Sequence, residues 1–202
     1  MGIFNWLKFN KKVDFKDTID IGNTTHFNGK PFTGNAFETN GNGVIIQKSK
    51  LVAGLKQGIS KSYFDSGSLK TEETYKNDEP NGIVKFYYEN GKLKHESNYV
   101  DGKKQGEVIE YYESGAVQIK CNYVDGKEQG EWIAYFESGA VEIKSNFVDG
   151  KEQGEVIEYF ESGAIQGKAN FVDDKLQGKM IFYTLNGEIE RIENYKDGVL
   201  IN

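Results

Sequence analysis

The chain is short of most residue types that carry chemistry. Its 202 residues include one Cys, two His, two Pro and two Trp. The single cysteine, Cys121, excludes an intrachain disulfide and points to a reducing compartment. His26 and His95 stand in unlike contexts, and no Cys/His cluster has the spacing of a zinc site. Neither a GxSxG elbow nor a Walker-type loop occurs. No apolar run approaches the roughly 20 residues of a membrane-spanning helix. The start, MGIFNWLKFNKK, does not read as a signal peptide, and Trp6 stands where N-myristoylation takes Ser or Thr. An apolar fraction of 37% and a mean hydropathy of −0.63 are low for a compact globule. Against disorder stand 12 Tyr, 13 Phe and 24 Gly at regular spacing: the aromatics bury large areas and the glycines mark turns.

What the chain has in abundance is itself. Residues 106–177 read GEVIEYYESGAVQIKCNYVDGKEQ, GEWIAYFESGAVEIKSNFVDGKEQ and GEVIEYFESGAIQGKANFVDDKLQ, three near-copies in a 24-residue register. A fixed period of this length marks one supersecondary unit stacked on its copies. The leading glycines run from Gly34 through Gly58, Gly82, Gly106, Gly130 and Gly154 to Gly178. A second glycine follows nine residues on, from Gly43 to Gly187, and a third appears at Gly54, Gly102, Gly126, Gly150 and Gly198, with Asp78 and Asp174 in its place elsewhere. Gly and Asp tolerate turn conformations, including positive φ. Between the turns lie segments too short for a packed helix and rich in Val, Ile, Tyr and Phe, so each unit is expected to be a β-hairpin.

Alternation supports this. Val117, Ile119, Cys121 and Tyr123 share one face of the second strand, and Gln118, Lys120 and Asn122 the other. The first strand is apolar on both sides, with Ile109 and Tyr111 opposite Val108 and Tyr112. The expected fold is all-β: an elongated antiparallel meander of about 14 strands from seven hairpin repeats (34–57, 58–81, 82–105, 106–129, 130–153, 154–177 and 178–202). Residues 1–33 form an N-terminal cap. In it Ile3, Phe4 and Leu7 have helical spacing over 1–12, Asp14–Ile21 reads as a lead-in strand, and His26–Gly34 has turn chemistry.

Charge is uneven. Residues 1–57 carry eight Lys and four acids, net +4, whereas 106–177 carry six Lys and fifteen acids, net −9. The acidic stretch reads either as a solvated face or as a binding surface, and it disfavours nucleic acid, which needs a basic footprint. Carboxylate pairs such as Glu107 and Glu110 recur in copy after copy. A catalytic pair needs a singular, desolvated site to split its pKa values, so no enzyme, metal or cofactor is expected. Trp132 replaces Val108 and Val156, and Ala134 replaces Glu110 and Glu158. One reading is core variation, with Trp filling the gap above Ala. The other is an aromatic anchor, Trp132 with Tyr111, Tyr135 and Tyr159, flanked by Glu107, Glu110, Glu131, Glu155 and Glu158, whose acidic rim attracts a basic partner.

The pattern G-x-[VW]-x-x-Y-[YF]-x-x-G-x-[LVI], then Tyr or Phe, then [DN]-G-K-x-x-G, resembles the MORN-type repeat in its bacterial variant. Its best copy, residues 130–153, has Trp132, Tyr135, Phe136, Gly139, Phe147 and Gly150. The resemblance covers residues 34–202; Ser60 and several Val stand where the family usually has an aromatic. It implies an immunity protein or antitoxin that neutralises a cognate protein toxin by direct binding; the acidic rim suits a basic, nuclease-like effector as that toxin, and the single cysteine a cytoplasmic location. Elsewhere in the family it implies membrane-lipid contact or scaffolding, for which residues 1–12, with Phe4, Trp6 and Leu7, are the candidate contact. Exposed end strands allow a monomer or a weak dimer.

Overall fold

The computed structural model describes residues 11–201. The helix expected over residues 1–12 lies outside them except for its last two positions, and Lys12 opens a strand. The chain divides into two compact units, Met1–Lys103 and Lys104–Asn202. Both are built of strands, and the one helical turn described is a 3-10 turn at Phe15–Asp17.

The first unit begins with β1 (Lys12–Asp14), β2 (Ile19–Ile21), β3 (Thr24–Phe27) and β4 (Lys30–Pro31). The expected single strand over Asp14–Ile21 is therefore broken. Asp14 accepts a hydrogen bond from the Lys16 amide at 3.1 Å and caps the 3-10 turn, so the backbone leaves the extended path there. That bond is also the main reason the Asp14 carboxyl ionises below its usual range. Strands β2, β3 and β4 form a small antiparallel sheet with a turn at Asn28–Gly29. The long strands follow: β5 (Gly34–Thr39), β6 (Ile45–Val52), β7 (Leu55–Tyr63), β8 (Leu69–Lys76), β9 (Glu79–Tyr87) and β10 (Leu93–Val100). They pair in chain order as an antiparallel meander, while β1 lies parallel to β5 with Val13 opposite Ala36. The sheet is thus mixed, against the purely antiparallel expectation.

The apolar core of this unit sits under the cap, where Val13, Phe32, Ala36 and Leu51 are buried with Phe15 and Phe27 packed on them. Close approach makes two glycines obligatory. A Cβ at Gly34 would lie 2.6 Å from the Lys11 carbonyl, and one at Gly54 would lie 2.8 Å from that of Thr25. Farther along, the buried row is polar and closes on itself: the Ser49 and Ser60 hydroxyls are 2.7 Å apart, and those of Ser62 and Thr71 are 2.8 Å apart.

Between the two groups of strands comes the two-residue strand β11 (Lys103–Lys104). The second unit then repeats one pattern. Its strands are β12 (Gly106–Tyr111), β13 (Val117–Val124), β14 (Lys127–Glu128), β15 (Gly130–Tyr135), β16 (Val141–Val148), β17 (Lys151–Glu152), β18 (Gly154–Tyr159), β19 (Ile165–Val172), β20 (Lys175–Leu176), β21 (Gly178–Tyr183), β22 (Ile189–Lys196) and β23 (Val199–Leu200). Each eight-residue strand pairs backwards with the six-residue strand before it and forwards with a two-residue piece. The strand count therefore exceeds the expected 14. The leading glycine causes this: at φ +83°, Gly130 interrupts a strand and does not form a turn.

The turns that follow each eight-residue strand are two-residue reversals with positive φ at both positions, as in Asp125 (51°) and Gly126 (83°), the geometry that matches strand twist. The turns inside each hairpin are longer and carry positive φ only at the glycine, as at Gly115 (96°). Successive turns are tied together. The Gly126 amide donates to the Lys104 carbonyl at 2.9 Å and the Gly150 amide to that of Glu128 at 2.9 Å. A glutamine ladder reinforces them: Asp125 N–H donates to Gln105 Oε1 at 3.0 Å, Asp149 N–H to Gln129 at 3.0 Å, and Asp197 N–H to Gln177 at 2.8 Å.

Candidate functional site

Residues directly opposed across an antiparallel ladder point to the same side of the sheet, so register alone sorts the candidate residues of the second unit. Val108 faces Cys121, Glu110 faces Ile119, Trp132 faces Ser145, Ala134 faces Ile143, Val156 faces Ala169 and Glu158 faces Gly167. These make one side, the Trp132 face, where Val108, Cys121, Ala134, Ser145 and Ala169 are buried. Glu107 faces Asn122, Ile109 faces Lys120, Glu131 faces Asn146, Ile133 faces Lys144, Glu155 faces Asn170 and Ile157 faces Lys168. These make the opposite side.

Tyr111, Tyr135 and Tyr159 each follow a β-bulge at equivalent positions. Tyr111 and Tyr135 lie near Lys120, whose ammonium pKa is raised first by its hydrogen bond to Glu107 and also by these two rings. This second side is the tyrosine face. The proposed cluster is accordingly divided: Trp132, Glu110 and Glu158 are together, while Glu107, Glu131, Glu155 and the tyrosines are on the far side. Glu107, Glu131 and Glu155 do not flank Trp132, because the period of two along a strand sends adjacent residues to opposite faces.

Charge is settled unevenly on both faces: Glu131 of the tyrosine face has no hydrogen-bond or ion-pair partner among the described residues. On the tyrosine face Lys120 Nζ pairs with Glu107 at 2.7 Å and Lys168 Nζ with Glu155 at 3.7 Å. On the Trp132 face, Glu158 has no hydrogen-bond or ion-pair partner among the described residues, and its Oε2 lies 3.5 Å from where a Cβ on Gly167 would be. Beside it is a groove of about 290 Å³ lined by Trp132, Phe147, Val156, Phe171, Leu176 and Met180, together with the charged residues Glu152, Glu158 and Lys168.

The groove arises from a run of replacements. In β13 the Tyr123 hydroxyl donates to Glu128 at 3.1 Å, and burial foremost, then Glu128, raises the Tyr123 pKa. In the next hairpin Phe147 has no hydroxyl, and the equivalent Glu152 instead accepts from Ser145 Oγ at 2.5 Å. In the hairpin after that, Phe171 faces Leu176, and Ala169 stands where Ser145 and Cys121 stood. Sequence reasoning singled out Trp132, Glu110 and Glu158 but missed Phe147, Phe171, Leu176, Met180 and Glu152. Their signal was departure from the neighbouring copies, legible only once register showed that the departures share a face. Among the described residues, no group of three or more His, Cys, Asp and Glu is placed to hold a metal ion. Nor, among the same described residues, is any helix long and apolar enough to cross a membrane.

No curated protein matches the chain. Among solved structures, the crystal structure of a TarM mutant from S. aureus is similar at 18% identity and a TM-score of 0.22, over 59% of this chain and 19% of that one, a likeness that carries no argument. The MORN repeat variant matches six times, at residues 56–77, 80–101, 104–125, 128–149, 152–173 and 176–197. The matched units start two residues ahead of the leading glycines from Gly58 to Gly178 and number six where seven were expected; the hairpin of β5 and β6 lies outside them. With most of its length in these six copies, the chain belongs to the MORN repeat variant family.

Proposed function

We propose that the chain is a non-catalytic binding protein that docks a basic protein partner on the Trp132 face of its second unit, and more specifically an immunity protein or antitoxin that occludes a cognate toxin in the cytoplasm. The observation that carries this reading is the groove beside Trp132, where an apolar floor meets a carboxylate that the fold itself leaves unpaired. On the tyrosine face lysines of the same sheet answer Glu107 and Glu155 but not Glu131; what sets Glu158 apart is that it stands unpaired against an apolar groove, where a partner can answer it. The net charge of −9 over residues 106–177 draws a basic partner and speeds encounter. Trp is among the residues that concentrate binding energy at interfaces. The repeated, solvent-facing carboxylates of the second unit supply no singular acid–base pair, which favours binding over catalysis.

The test is co-expression with the product of the adjacent gene. Rescue of growth together with a stable complex is the expected result. No rescue and no complex removes the immunity reading.

A further inference from the structure

Three neighbouring hairpins treat the same positions differently, and the differences specify a ligand. In the first, Tyr123 and Glu128 bond to each other and close the site with polar atoms. In the third, Phe171 and Leu176 replace them, and Gly167 stands where Ile119 and Ile143 fill the corresponding space. What remains is an opening between Trp132, Phe147, Phe171 and Met180 with the Glu158 carboxylate above Gly167. At about 290 Å³ it falls at the lower limit of small-molecule pockets, which start near 300 Å³, and so fits one long side chain. An apolar channel whose lining holds two carboxylates, Glu152 and Glu158, and one lysine already paired with Glu155, Lys168, disfavours acidic and short polar side chains and favours a cation on an aliphatic stem.

The same face already seats such a group. Phe182 faces Gly167 across the ladder, and the Arg191 guanidinium stacks on the Phe182 ring at 3.8 Å while its Nε donates to Glu193 at 2.9 Å. Guanidinium is more weakly hydrated than ammonium and stacks on aromatic faces, so it suits a half-open apolar site better than lysine does.

We propose that this groove receives one arginine side chain of the docked partner, its stem against Phe147 and Phe171 and its guanidinium between the Trp132 ring and the Glu158 carboxylate. The proposal rests on the binding reading above and names the chemistry of that same site.

The test needs no protein partner. In a Trp6→Phe background Trp132 is the sole indole, and its fluorescence reports on titration with N-acetyl-arginine amide and with its neutral isostere, N-acetyl-citrulline amide. The expected result is a saturable response to the arginine probe, with citrulline roughly tenfold weaker because the charged hydrogen bond is lost. Glu158→Gln should bring the two probes level. Gly167→Ile, which restores the residue type of the neighbouring hairpins, should abolish the response. Equal binding of the two probes to the parent protein, or no response to either, overturns the proposal. If the adjacent-gene product is captured while neither probe reports, the groove assignment falls and the binding reading stands; if the arginine probe reports and the adjacent-gene product is not captured, the immunity reading falls and the groove assignment stands.

Discussion

At the scale of single residues, Cys121 shows how the fold uses a reactive group as filler. It lies opposite Val108 on the buried face, and its neighbours in the array are Ser145 and Ala169. Burial foremost, with Glu128 adding to it, pushes the Cys121 thiol up to about 11 from 9.0, and burial foremost also raises Tyr75 and Tyr123. All three are neutral in the folded state at a pH where the unfolded chain begins to ionise. Their contribution to stability is therefore fully present below about pH 9 and is lost as pH rises toward 11 and beyond. Denaturant unfolding followed from pH 7 to 11 should give a midpoint that holds below pH 9 and then falls, with the fall between 9 and 11 reduced in Cys121→Ser. A midpoint that rises over that range would contradict the assignment. A thiol reagent should likewise label Cys121 slowly in the native protein and rapidly after unfolding, since the thiolate is the nucleophile.

At the scale of the hairpin, register governs everything. The turns at Asp125–Gly126 and Asp149–Gly150 are held to the preceding repeat by equivalent bonds, through Gln105 and Gln129 and through the carbonyls of Lys104 and Glu128. Removing residues 130–153 joins Gln129 to Gly154, which is the junction the chain already makes at Gln153. The shortened protein should keep its strand content and unfold cooperatively, because each repeat contacts mainly its neighbours. Removing 23 residues instead, 130–152, shifts the pleat by one and turns Ile157 toward the buried side and Val156 away. Circular dichroism and thermal unfolding of the two deletions should therefore diverge sharply; equal behaviour would mean that register does not hold the array. The hairpins were legible in the sequence because turn glycines and period-two alternation both recur every 24 residues. What was not legible has a physical cause in each case. Gly130 at φ +83° reads as a turn from composition, yet it kinks a strand, which splits off β14 and raises the strand count. Asp14 reads as the start of a strand running to Ile21, yet it is the last residue of β1 and its side chain caps a 3-10 turn. The parallel pairing of β1 with β5 is a long-range contact that no local pattern encodes.

At the scale of the molecule, two units of opposite character share one chain. The first carries the apolar core under its cap and a buried row of hydroxyls, and the second carries the acid-rich copies and the groove. The sequence showed where charge accumulates but not how it is shared between faces, because Glu107 and Glu110 look alike until pairing places one beside Lys120 and the other on the side of Val108. That division turns a list of nine candidate residues into a claim about one face. The most direct test is titration calorimetry of the purified chain against the adjacent-gene product, comparing Trp132→Val with Glu131→Lys. Val is the residue of both neighbouring hairpins, so the first variant keeps its fold. Trp132→Val should weaken the complex roughly 30-fold, the equivalent of about 2 kcal/mol for a buried aromatic anchor. Glu131→Lys, on the tyrosine face, should change affinity less than about threefold, as rim charges do. The reverse ranking, or a complex indifferent to Trp132, would contradict the account.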